Sequence, residues 1–150
     1  MVAAAVLERP KVEMPQDHQK EIASRIEDWQ QRISDLYAHI AECAEKHSEL
    51  WLSENMTAKL FEKPMHDAGL EPVMLPVLNV GRGKGLIVSF QPIGLWVLGA
   101  NGRMDILTHN GAYELIDEAE VGQPPNWQVF APGSWEAKPF DHEVVERLLS

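Results

Sequence analysis

Nine positions near the N-terminus fall into a 4-3 alternation: Ile22, Ile26, Trp29, Ile33, Leu36, Ile40, Cys43, His47 and Leu50. In heptad terms Ile26, Ile33, Ile40 and His47 are a positions, and Ile22, Trp29, Leu36, Cys43 and Leu50 are d positions. Side chains at this period share one stripe of a helix, and an apolar stripe must be buried by another helix or another surface. Charges point to the same helix independently. Glu21, Asp28, Asp35 and Glu42 stand four residues before Arg25, Arg32, His39 and Lys46. That is the favourable orientation for ion pairs along a helix. With Asp17 as N-cap the helix is expected to run to Leu50. At 1.5 Å per residue it would be about 50 Å long.

Residues 1–16 hold Pro10 and Pro15 and no periodicity, so a flexible arm is expected there. Ser53 or Thr57 can open a second, short helix through Lys63, with Met56, Leu60 and Phe61 on its apolar side. Gly69 closes this helical half, residues 17–69. From Pro72 the pattern turns to period two. Strands are expected at Val77–Val80, Leu86–Phe90, Leu95–Leu98, Arg103–Thr108, Ala112–Ile116 and Trp127–Phe130. The run Ile93–Leu98, apolar at both alternating sets, suggests a strand covered on both faces. Asn101-Gly102 and Asn110-Gly111 predict type I′ hairpins, and Gly81-Arg-Gly-Lys-Gly85 a further hairpin loop. The tail, residues 131–150, reads as an extended wrap, with Trp127 before it and Trp135 and Phe140 within it as anchors. Asp141 caps a short helix through Leu149. The expected fold class is α+β, one domain over residues 17–150. The long helix and a short helix precede an antiparallel meander of about five strands at 72–130, followed by the tail.

The 150 residues carry 23 acids against 13 Lys and Arg, a net charge of -10. An acidic field repels phosphate backbones and attracts basic surfaces, so a basic protein partner is expected and a nucleic-acid partner is not. Glu114, Asp117, Glu118 and Glu120 concentrate that charge after the meander. The single cysteine, Cys43, excludes an intrachain disulfide and favours a reducing compartment. Met1–Leu7 is apolar but short and lacks a basic flank, so no signal peptide is assigned. No stretch reaches the roughly 18 apolar residues of a membrane span. A cytoplasmic protein without a membrane partner is expected.

Chemistry finds little foothold. The loop at 81–85 is too short for a P-loop and lacks its Ser or Thr. It reads as a hairpin exposing Arg82 and Lys84, with a local anion site as the alternative. The six histidines are scattered, without a His-x-x-x-His pair or a Cys/His cluster, so no metal and no cofactor are assigned. His39 reads as a surface partner of Asp35 and Cys43 as a small buried hydrophobe. No nucleophile elbow occurs and no catalytic residue is named. Arg103, Asp105 and His109 alternate onto one strand face, which suits either a ligand site or a solvated face.

A meander of five strands spans only about 24 Å, too little to cover the whole helix. The exposed remainder predicts a homodimer through Ile22, Ile26, Trp29, Ile33, Leu36 and Ile40. Packing of the stripe within one chain is the alternative. Trp29 speaks for that alternative, being bulky for a two-stranded coil and suited to a helix laid on a sheet. The functional expectation is a non-enzymatic, acidic protein-interaction module that guards or inhibits a basic partner. Its alternative is a small-ligand binder or enzyme built on Arg103, Asp105 and His109.

Overall fold

The amphipathic stripe lies on helix α1, Gln16–Glu45, at the start of the described residues, 16–150 of a computed structural model. Of the arm expected at residues 1–16, only Gln16 lies within the described residues. Strand β1 (Leu50–Leu60) and helix α2 (Lys63–Asp67) follow. Then come β2 (Val73–Arg82), β3 (Gly85–Gly94), β4 (Arg103–Thr108), β5 (Gly111–Asp117), β6 (Trp127–Phe130) and β7 (Lys138–Pro139). Helix α3 (His142–Leu149) closes the chain, with the Asp141 carboxylate accepting from the Val144 N–H. The strands form one antiparallel sheet in sequence order, β1 to β7. The fold is therefore α+β, as the sequence predicts. Among the described residues no helix is long and apolar enough to cross a membrane.

The stripe on α1 is buried within its own chain. Ile22, Ile26, Trp29, Ile33, Leu36 and Ile40 are each at most 6% exposed, so the predicted dimer seam leaves no apolar surface for a second copy. Two features absent from the sequence argument close it. The sheet has seven strands, about 34 Å across on the same 4.8 Å spacing. The N-terminal end of α1 is covered from the side. Gln19 donates to the Ala68 carbonyl just after α2, and Arg25 donates to the Leu95 carbonyl and lies over the Trp96 ring. Trp29 sits on the sheet, tilted against Trp127 at 5.7 Å, as its bulk suggests.

Several local expectations change. The stretch read as a second helix from Ser53 or Thr57 is the edge strand β1, and the short helix begins at Lys63. β1 buries only Leu60 and leaves Trp51, Leu52 and Met56 exposed, so it has no helical face to bury. α1 stops at Glu45, leaving His47 and Leu50 outside it. Leu95–Leu98 is not a strand. It turns back on itself near Gly99 (φ 75°), burying Leu95 and fully exposing Leu98. Asn101-Gly102 is no hairpin turn either. Asn101 donates to the Asp117 carbonyl and Asp117 donates to the Gly102 carbonyl, which extends the β4–β5 pairing. Gly102 is required for another reason: a Cβ there would run into the Trp29 ring. The hairpin at Asn110-Gly111 exists, with Thr108 paired to Gly111, but Asn110 keeps a negative φ, so it is not type I′. The 81–85 hairpin also forms, with Gly83 at φ 61° as a type II′ turn requires.

Of the four helical charge pairs, Asp28–Arg32 forms (2.6 Å), and it leads inward. Arg32 is 4% exposed, pairs with the fully buried Asp117 at 2.8 Å, and donates to the Glu120 and Gln123 carbonyls. Asp117 also accepts from the Ala119 and Asn126 N–H groups. Burial pulls the Arg32 guanidinium down, but Asp28 and Asp117 outweigh it and its pKa is raised. This network fastens the β5–β6 connection to α1.

Candidate functional site

The sheet has two unlike faces. Alternation along β3, β4 and β5 sends Val88, Phe90, Met104, Ile106 and Leu115 beneath the helices, all fully buried. The opposite face carries Ser89, Gln91, Arg103, Asp105, Leu107, Ala112, Glu114 and Ile116. No described helix covers it. Arg103 binds Asp105 at 3.0 Å and Glu114 at 3.2 Å, so the charges of this face largely satisfy one another. A hollow of about 570 Å³ lies between the Val97–Ala100 bend, this face and the loop 130–135. Leu98 and Trp135 flank it, 104% and 96% exposed. Trp135 is therefore no anchor of the tail, whereas Trp127 and Phe140 do pack against the core.

Of the three residues of the predicted ligand site, Arg103 and Asp105 are in contact and His109 stands apart. Arg103 lines the hollow beside Glu114, Asp105 is held by Arg103, and His109 sits in the β4–β5 turn. His109 instead lines a second cavity of about 510 Å³ between α3 and the end of the sheet. Arg82 lines the same cavity, donating to the Leu149 carbonyl, while Lys84 does not reach it. Two cations unnamed by the sequence reading, Lys138 and Arg147, also line it beside the acid Glu136, and Tyr113, Val129 and Leu148 form apolar lining. Arg147 was hidden because a position in a short C-terminal helix and a distant hairpin carry no shared signal in sequence.

The acidic cluster after the meander also divides. Asp117 is buried with Arg32 and the exposed Glu114 is paired with Arg103, so among the described residues Glu118 and Glu120 remain as its exposed charges outside an ion pair.

A third assembly joins α1 to α3. Cys43 Sγ lies 3.3 Å from His142 Nδ1, and the His39 ring faces His142 with centroids 6.4 Å apart. His39 is not engaged with Asp35, which accepts from Gln31 at 2.8 Å. Glu146 bonds His47 Nε2 at 2.8 Å and lies 3.6 Å from His142 Nε2. The His47 hydrogen bond holds the Glu146 carboxyl below its ordinary value. Burial, then the Glu146 charge, pushes the Cys43 thiol up. A buried thiol of raised pKa is a weaker nucleophile than an exposed thiolate. The missed signal was His39-x-x-x-Cys43, two metal-ligand types on one helix face.

The chain matches no protein-family model, and comparison with curated proteins and with solved structures finds no significant similarity.

Proposed function

We propose that this protein is a non-enzymatic interaction module that docks a basic protein partner on the bare face of its sheet. The observation that carries the reading is the pair Leu98 and Trp135, fully exposed and both lining one hollow on this face. Large apolar side chains held in solvent around a concavity are characteristic of binding surfaces, and Trp is enriched among residues that dominate interface energy. The net charge of -10 supports a cationic partner through faster encounter. Leu107, Ile93 and Met56, all at least 40% exposed, supply further apolar surface outside the hollow. A cytoplasmic setting suits a chain with one reduced, buried thiol. Self-association, on this reading, uses the bare face, since the α1 stripe is filled internally.

The test is affinity capture from the native cell with the wild-type chain and a Leu98→Ser/Trp135→Ser variant, at low and high salt. The reading expects a basic protein held by the wild type, weakened by salt and lost in the variant. Light scattering on the same samples separates a second copy from a foreign partner. Equal capture by both chains, or recovery of nucleic acid, contradicts the reading.

A second reading rests on the cavity by α3, whose lining holds three cationic side chains, Arg82, Lys138 and Arg147, against one acidic side chain, Glu136. Its size lies in the small-ligand range of roughly 300–1,000 Å³, and its mixed lining suits an organic anion. Stabilisation by an alkyl carboxylate that is lost in Arg147→Ala would favour this reading.

A further inference from the structure

We propose that His39, Cys43 and His142 bind one divalent ion of the zinc class, bridging α1 and α3. The three ligand atoms lie within 4.8 Å of one another. The tightest pair, Cys43 Sγ and His142 Nδ1, is already at 3.3 Å. Zn–S bonds of about 2.3 Å and Zn–N bonds of about 2.0 Å in a tetrahedron place ligand atoms roughly 3.3–3.6 Å apart. Two of the ligands therefore stand near their final separation. The third, His39, is an exposed side chain four residues before Cys43 on the same helix face, free to rotate the remaining distance.

The donor set selects the ion. One thiolate and two imidazoles are softer than the oxygen cages of calcium or magnesium and match zinc. The thiol proton leaves to solvent as the Zn–S bond forms. Three protein ligands leave a fourth position, which opens to solvent between the exposed rings of His39 and His142. Glu146 stands one turn beyond His142, with its Oε1 buried and lacking a hydrogen-bond partner among the described residues. That oxygen is 3.6 Å from His142 Nε2. A carboxylate behind one ring nitrogen turns the other towards the metal, the usual arrangement behind a ligating histidine. Here a small shift of the Glu146 side chain would close the 3.6 Å gap to Nε2 and hold Nδ1 towards Sγ. Glu146 is a positioning residue for the site.

The probes are Co²⁺ and Zn²⁺ added to the metal-free full chain. One equivalent of Co²⁺ is expected to give a sulfur-to-cobalt charge-transfer band and the intense visible bands of a four-coordinate ion, both abolished by Zn²⁺. Glu146→Gln should weaken Zn²⁺ binding by about 10–100-fold, and His39→Ala by more, since it removes a direct ligand. His66→Ala, at an exposed histidine elsewhere, should bind as the wild type does. Cys43→Ser should lose the charge-transfer band. If that buried substitution prevents folding, His39→Ala still decides the matter, because its side chain is exposed. No sulfur-to-cobalt band at saturating Co²⁺ in folded wild-type protein overturns the proposal. So does a His39→Ala chain that binds Zn²⁺ with wild-type affinity.

Discussion

Beneath α1, Met104, Ile106 and Leu115 are fully buried, while Leu107 and Ala112, their neighbours along the same strands, face solvent. The inner face of β4 and β5 is apolar and covered, whereas the outer face mixes apolar side chains with the charges of Arg103, Asp105 and Glu114 and stays open. The inner face has what burial demands: a helix stripe at the right period, a glycine where Trp29 must touch the strand, and a paired Arg32–Asp117 tie. The outer face has apolar groups without a cover and charges that neutralise one another in place. A surface of the first kind holds the chain together. A surface of the second kind is available to something else.

Substitutions can break this division, and the largest effects belong inside. Arg32→Ala would strand Asp117 as an unpaired buried charge, a loss of about 3–5 kcal/mol, visible as a lower denaturation midpoint. Gly102→Ala would push a methyl group into the Trp29 ring, costing about 1–3 kcal/mol as overpacking does. An unchanged midpoint in either variant would mean that α1 does not bear on the sheet as described.

The α1–α3 junction should respond to acid. The Glu146 carboxyl is depressed below its ordinary 4.5, chiefly by the hydrogen bond from His47. Its contribution is present above that ordinary value and disappears as pH falls through the depressed one. Hydrogen exchange in α3 should therefore quicken below about pH 4.5 in the wild type. Glu146→Gln should remove that step. A step of equal size in the variant would assign it to another group.

The smallest effect on stability belongs outside. Leu107→Ser and Trp135→Ser should each shift stability by less than about 0.5 kcal/mol, by denaturant titration. A loss of several kcal/mol would show that the outer face is structural after all.

Much of the inner face was legible in the sequence. The stripe from Ile22 to Cys43, the bulk of Trp29, the Asp141 cap and the strands at Arg103–Thr108 and Trp127–Phe130 all follow from period and capping chemistry. What stayed hidden depended on partners far along the chain. Gly102 looked like a turn residue because its neighbour is Asn101, yet its role is set by a tryptophan seventy-three positions earlier. Leu50–Leu60 gave no clear period because an edge strand pairs on one side and buries little. The charge pairs on α1 indicated a helix correctly, but not that Arg25 and Arg32 would turn inward to meet Leu95 and Asp117. The metal-ligand trio joins residues about a hundred positions apart, with only His39 and Cys43 close enough to be paired by spacing.

The division between faces is tested most directly by photo-crosslinking the captured partner from single sites. A photoreactive residue replacing Leu107 or Trp135 should crosslink to the partner. The same residue replacing Glu27 or Ser34, on the solvent side of α1, should not. Crosslinks from positions 27 or 34 with none from 107 or 135 would contradict the account and return the binding surface to the helix.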